Sequence, residues 1–200
     1  MTNFDQAAID LFKKKAASVS IVVVELKNLA EAMAYAVDIC DKKEFCRLLL
    51  SDQPGERATV KTLAAPGLNE ADYAALAALG QKKKLAMIRQ GMREHLSGID
   101  VAFTTGAMGI ADTATSVLEC PDEDVRLVTM ICETHVLTLP KAKIVGDSYQ
   151  AESYLRGLLA KGPNYASFIS GSSRTSDIER VLTTGVHGPL ELHVVLLEEE

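Results

Sequence analysis

An apolar strand that runs into a hydroxyl-rich turn, with a second apolar strand shortly after, constrains this chain more than any other feature. Ala166-Ser167-Phe168-Ile169 leads into Ser170-Gly171-Ser172-Ser173-Arg174-Thr175-Ser176-Asp177-Ile178-Glu179. Gly185-Val186-His187-Gly188-Pro189 then precedes Leu192-His193-Val194-Val195-Leu196-Leu197. Ser176 and Glu179 have capping-box spacing, so a helix is expected to begin there with its free N–H groups facing the loop. Ile178, Val181 and Leu182 give that helix one apolar face, and Gly185 is placed to end it. A Ser/Gly loop, an arginine and a helix N-terminus together suit a carboxylate or a phosphate. The same pattern is also ordinary α/β architecture, because Ser and Thr favour caps for their own reasons.

The rest of the chain alternates in the same way. Phe4, Ala7, Ala8, Leu11 and Phe12 predict an amphipathic helix over 3–17, and the β-branched run Val19 to Leu26 predicts a strand. Helical spacing returns over 28–43, and Cys46 to Leu50 reads as a short strand stopped by Ser51-Asp52-Gln53-Pro54-Gly55. Asn69 can cap a helix through Tyr73, Leu76 and Leu79 that Gly80 interrupts, with a second helix over 82–96. Ile99 to Phe103 predicts a strand opening into the tight loop Thr104-Thr105-Gly106. Short strands are expected at Ser116–Glu119, Arg126–Ile131, Thr134–Leu139 and Lys143–Val145, and a helix near 148–160. Alternating elements with an insertion of consecutive strands predict an α/β domain: a mostly parallel sheet flanked by helices, with antiparallel additions. No repeat or linker divides the chain, so residues 1–200 read as one domain.

Composition removes several classes of function. With 48% hydrophobic and 24% charged residues, the 200-residue chain can bury a core without staples. A formal net charge of −6 argues against a nucleic-acid partner. No apolar run reaches the 18 or so residues a membrane helix needs, and Met1-Thr2-Asn3-Phe4-Asp5 lacks a signal-peptide pattern, so the cytoplasm is the expected location. Cys40, Cys46, Cys120 and Cys132 form no Cys-x-x-Cys pair, which argues against an iron–sulfur cluster held by this chain alone. The four histidines show no zinc spacing, and no Walker loop appears. No metal and no cofactor are therefore expected in the chain itself.

The wording of the loops is more specific than their geometry. The run SGSSRTSDIE followed by GVHGPLELHVVLL resembles the C-terminal signature of the lactate utilization protein C family, built on the LUD domain. Gly109-Ile110-Ala111-Asp112-Thr113-Ala114-Thr115-Ser116-Val117-Leu118 is similar to that family's acidic-Thr-Gly-Thr segment, with Arg126-Leu127 and His135-Val136 following at the expected distance. The similarity covers about residues 99–197. Asp112 stands where the family often has Glu, Ala114 where Gly is usual, and Ser172 where Pro is usual. Each departure can alter ligand preference or weaken a site. The resemblance implies a Rossmann-like sheet of the NagB/RpiA/CoA-transferase-like group. It also implies a lactate-utilization system supporting oxidation of L-lactate to pyruvate, in which partner proteins carry the iron–sulfur clusters.

Ligands of open α/β sheets sit outside the carboxyl ends of the strands. The loops at 104–115 and 170–176 are expected there, converging on one cleft. The cleft would offer Asp112 and His187 as catalytic candidates. Thr104, Thr113, Thr115, Ser170, Gly171, Ser172, Ser173, Arg174 and Thr175 would hold a small hydroxy- or keto-acid or a phosphate-bearing ligand. Plainer roles compete: Asp112 as a turn cap, Arg174 paired with Asp177 or Glu179, His187 bonded within its turn, and His135 and His193 as core or edge histidines. Three functions stay open. The chain can be a clusterless subunit that binds an organic acid or docks iron–sulfur partners. It can be a CoA-transferase-like or sugar-phosphate-isomerase-like enzyme with Asp112 as nucleophile or base. Or it can be a regulatory scaffold with a degenerate pocket.

Overall fold

Each long helix of the computed structural model starts where a short polar side chain can take the unpaired N–H groups of the first turn. The structure describes residues 4–45, 60–162, 164–175, 183–184 and 188–199. Asp5 caps α1 (Gln6–Ser18), Asn28 caps α2 (Leu29–Lys42), and Asn69 caps α3 (Glu70–Lys82). Asp122 caps α4 (Glu123–Ile131) and Asp147 caps α5 (Ser148–Ala160).

Between these helices lie the strands β1 (Ile21–Leu26), β2 (Thr62–Ala64), β3 (Ala86–Ile88), β4 (Ile99–Thr105), β5 (Met108–Ile110) and β6 (Thr115–Glu119). Then come β7 (Cys132–Pro140), β8 (Ile144–Val145), β9 (Ala166–Ile169), β10 (Arg174–Thr175), β11 (Thr183–Thr184) and β12 (Glu191–Leu197). Six of them form one sheet in the order β1-β12-β7-β4-β2-β3, with every neighbouring pair parallel. A second sheet, β8-β5-β6-β9, is antiparallel at β5–β6 and β6–β9 and parallel at β5–β8. This is the expected α/β sheet with an antiparallel insertion.

Both faces of the parallel sheet are covered, which is why β4 and β7 are buried almost throughout. Val101, Phe103 and Val136 pack with Leu63 against α2 and α3. The alternate residues face the other way: Leu137 and Leu139 cluster with Ile9, Phe12 and Ala16 of α1, while Ala102 clusters with Val128 of α4. Cys40, Cys120 and Cys132 are buried in three different apolar clusters. Among the described residues no helix is long and apolar enough to cross a membrane.

Three sequence expectations are corrected. Arg126–Ile131 is helical, not a strand. Asp122 accepts a hydrogen bond from Val125 N, Glu123 and Asp124 supply acidic charge to the first turn, and Val125 and Val128 form a buried i,i+3 pair. The helix expected over 82–96 is absent; Lys84 adopts a left-handed conformation (φ 59°), β3 joins the sheet beside β2, and Met92–His95 forms one 3₁₀ turn. Gly80 does not interrupt α3. It is buried inside the helix because a Cβ there would lie 2.3 Å from Met87 Sδ, so glycine lets β3 approach α3. The strand expected at Cys46–Leu50 lies outside the described residues, as does the helix start at Ser176. Thr183 and Thr184, expected near that helix's end, pair instead with Thr175 and Arg174 as a short antiparallel ladder.

Ala114 ends the 3₁₀ turn Ala111–Thr113 in the left-handed region (φ 50°, ψ 40°) while fully buried. An L-residue held there costs about 1 kcal/mol or more. Ala114→Gly removes that cost but deletes a buried methyl worth ~0.8 kcal/mol and adds chain entropy of similar size. Urea unfolding is therefore expected to place this variant within about 1 kcal/mol of the native chain. A loss of several kcal/mol would contradict the conformational argument.

Candidate functional site

The two polar turns meet through their hydroxyls. Thr113 Oγ1 lies 2.7 Å from Thr115 Oγ1, which in turn lies 2.6 Å from Ser170 Oγ. The 55-residue gap between Thr115 and Ser170 closes because β6 and β9 are antiparallel neighbours, with Ser116 opposite Ile169.

Where that junction sits differs from expectation. Thr104 and Thr105 do end β4, a strand of the parallel sheet, but β9 belongs to the second sheet. Its antiparallel course carries the 170–175 turn to the amino ends of the parallel strands. Ser173 N donates to Pro189 O just before β12, and Gly171 packs on Val19 just before β1.

There the turn forms one wall of a cavity of about 290 Å³, lined by Ser170, Gly171, Ser173 and Arg174, with Phe168 and Ile169 leading in. Thr129 of α4, His135 of β7 and the Gly188-Pro189 step complete the lining. Arg174 is the one charged side chain of that lining, exposed, and without an ion pair among the described residues. Its competing partners Asp177 and Glu179 lie outside the described residues. Two serine hydroxyls and a guanidinium around a small hollow are donors an anion can use, whereas the Thr129 hydroxyl donates to Arg126 O at 2.8 Å within its own helix.

The other candidates are distributed around this centre. Thr113 and Thr115 stand behind Ser170 in the hydroxyl chain. Ser172 is buried and Thr175 pairs with Thr183. Asp112 is not part of the cavity lining. Its N–H donates to Gly146 O at 3.0 Å, in a turn packed against α1, and its buried Oδ1 has no partner among the described residues. His187 lies outside the described residues. Thr104 is buried one layer deeper, 2.8 Å from His135 Nε2.

His135, read from the sequence as a core or edge histidine, is among the residues that line the cavity. It is fully buried, and desolvation pushes its pKa down to about 4, so the ring is neutral at physiological pH. Its Nδ1 has no partner among the described residues. The signal was a histidine inside an otherwise apolar strand. What it touches depended on β4 pairing with β7, which puts Ala102 opposite His135. His193, by contrast, is tied down by Tyr35 Oη at 2.8 Å from Nδ1. Among the described residues no group of three or more His, Cys, Asp or Glu is placed to hold a metal ion.

A parallel six-stranded sheet, helices on both faces and a four-stranded insertion that turns a Ser/Arg loop back to the amino ends define one class of α/β domain. Residues 9–197 match the LUD domain model, and the chain belongs to that family. Proteins named Lactate utilization protein C are similar to it. That of Bacillus velezensis is 31% identical over 109 residues, 53% of this chain and 45% of the relative. That of Bacillus subtilis is 31% identical over 103 residues, 50% of this chain and 43% of the relative. A Geobacillus relative is 27% identical over 163 residues, 80% of this chain and 58% of its own length. The chain thus spans about half the length of the curated relatives it matches. A crystal structure of a DUF162 family protein from Deinococcus radiodurans shares the fold, with a TM-score of 0.62 over 96% of both chains at 17% identity.

Proposed function

We propose that the chain serves lactate utilization as a binding component, holding a small organic acid in the cavity under the 170–174 turn. The observation that carries this reading is the lining itself: Arg174, Ser170 and Ser173 supply donors, and nothing in it supplies a competing carboxylate. The names of the relatives point to the same metabolite class. Removing two electrons from lactate needs a redox group, which side chains do not provide. In this proposal that group sits on iron–sulfur partner proteins, and this chain binds and presents the acid or docks those partners. The guanidinium takes the carboxylate, and the serine hydroxyls orient its second oxygen.

Calorimetric titration with pyruvate, L-lactate and inorganic phosphate tests the site. Arg174→Ala is expected to weaken carboxylate binding roughly tenfold to a hundredfold, since the arginine is solvent-exposed and the pair only partly desolvated. Asp112→Asn is expected to leave affinity unchanged, because Asp112 stands outside the cavity. Binding that ignores Arg174 but collapses with Asp112→Asn would instead favour the transferase-like or isomerase-like reading, in which that carboxylate is the reacting group. Anaerobic copurification with cluster-bearing proteins tests the docking part separately.

A further inference from the structure

The Ser/Gly/Arg turn continues an edge strand. β9 is the last strand of the second sheet, and β6 is its one neighbour among the described residues. Cys120 N donates to Tyr165 O, and residues of an antiparallel pair alternate between facing the partner strand and facing away from it. Tyr165, Ser167 and Ile169 therefore turn their N–H and C=O groups toward β6, while Ala166 and Phe168 turn theirs outward. No partner for these outward groups is found among the described residues. The run Tyr165-Ala166-Ser167-Phe168-Ile169 carries neither the charge nor the proline that commonly protects an edge. Its two aromatic side chains, Tyr165 and Phe168, are 52% and 54% exposed. At the carboxyl end of the strand, Phe168 and Ile169 join the lining of the cavity that holds Arg174.

We propose that β9 and the anion cavity form one docking groove for the C-terminal end of a partner protein. The occupant is an extended segment with apolar side chains that adds to β9 in parallel and brings its terminal carboxylate to Arg174. The inference rests on the anion-site reading above and names how a partner engages that site. Main-chain bonds from Ala166 and Phe168 supply the pairing, and the exposed ring of Phe168 offers apolar contact. In a parallel ladder, the N–H and C=O of one residue bond the residues on either side of its opposite number. A segment paired with Phe168 thus ends one residue further on, with its carboxylate level with Ser170, where the turn begins. A side-chain carboxylate does not arrive there, because strand side chains stand perpendicular to the sheet whereas the turn continues the line of the strand. Arg174 is the one charged side chain of the lining, so an arriving carboxylate meets a cation and no like charge. Small acids and the partner's terminus compete for that arginine.

The test uses the full chain and an acetylated hexapeptide of alternating serine and valine, prepared with a free carboxylate or with a terminal amide. Titrations followed by amide NMR are expected to show the acid form binding about tenfold or more tighter than the amide. Arg174→Ala is expected to remove most of that preference, and pyruvate to displace the peptide. Hydrogen exchange reads the strand directly. In the free chain the amides of Ala166 and Phe168 are expected to exchange fast and those of Ser167 and Ile169 slowly, and the acid peptide is expected to slow the first pair. Ala166→Pro removes one outward donor at the first residue of an edge strand, where proline is tolerated. It is expected to weaken peptide binding by roughly fivefold to tenfold and to leave pyruvate affinity unchanged, since Ala166 is outside the cavity lining. Should that variant fail to fold, exchange in the native chain decides alone. No peptide binding, equal binding of acid and amide, or no slowing at Ala166 and Phe168, with pyruvate still held through Arg174, overturns the docking groove and leaves the anion site standing. Peptide binding without pyruvate binding keeps the groove and overturns the small-acid reading. No binding of any carboxylate, or binding indifferent to Arg174, overturns the anion site itself.

Discussion

Gly171→Ala is expected to destabilise the protein by about 3 kcal/mol, the sum of an unfavourable backbone and a clash that cannot relax. Gly171 sits at φ +99°, and a Cβ built there would lie 2.6 Å from Val19 O and 3.2 Å from Val19 Cβ. Neither obstacle is the loose end of a side chain. Val19 closes α1, its N–H bonded to Ala16 O, and β1 begins two residues later, so its carbonyl is fixed between two regular elements. The added methyl would also stand 3.0 Å from Arg174 Nη2. Displacing the turn to relieve either contact therefore moves the guanidinium, and acid binding should fall together with stability. Gly157→Ala supplies the contrast. It lies inside α5 with nothing within 4 Å of a built Cβ, and there the same substitution should stabilise by about 0.5–1 kcal/mol. Urea midpoints of the two variants should move in opposite directions. Equal shifts would mean that Gly171 occupies no tight corner.

The turn that Gly171 permits was visible in the sequence as a Ser/Gly/Arg cluster after an apolar run, but the end of the sheet on which it falls was not. That depended on β9 leaving the parallel sheet for the insertion, a choice set by its pairing with β6 and by nothing within residues 166–175. The same limit explains α4 and β3. Arg126-Leu127-Val128-Thr129-Met130-Ile131 satisfies a strand pattern and a helix pattern alike, and the deciding information was the acidic run Asp122-Glu123-Asp124 just before it. Leu85, Ile88 and Met92 keep helical spacing by coincidence. Ala86–Ile88 becomes a strand only because β2 offers it an open edge, and Gly80 makes room for it. Helices announced by a polar cap and an amphipathic face, α1, α2, α3 and α5, needed no such partner to be legible. The candidate site divides the same way. Local chemistry pointed to Ser170, Ser173 and Arg174, whereas the pairing of Thr104 with His135, 31 residues away, exists only once β4 and β7 lie side by side.

That pair has a consequence for acid stability that is large for one side chain. The His135 ring has its pKa lowered from 6.5 to about 4 by burial, so between these values the unfolded chain takes up a proton that the folded chain refuses. Stability from this group is complete above pH 6.5. It falls by about 1.4 kcal/mol per pH unit as pH drops toward 4 and then levels, a total of about 3 kcal/mol. The carboxylates with lowered pKa among the described residues, Glu25 beside Lys13 and Lys141, Glu123 beside Arg93 and Asp41 beside Lys83, also lose their contribution on acidification, but only below the ordinary carboxylate values of 4.5 for Glu and 3.8 for Asp. The window from 6.5 to 5 thus isolates the histidine from them. Urea unfolding at pH 7 and pH 5 is expected to show a loss of roughly 2 kcal/mol in the native chain. His135→Gln keeps a polar group in the wall without titrating and is expected to abolish most of that difference, whatever its stability at pH 7. A native chain equally stable at both pH values would mean that His135 opens to water.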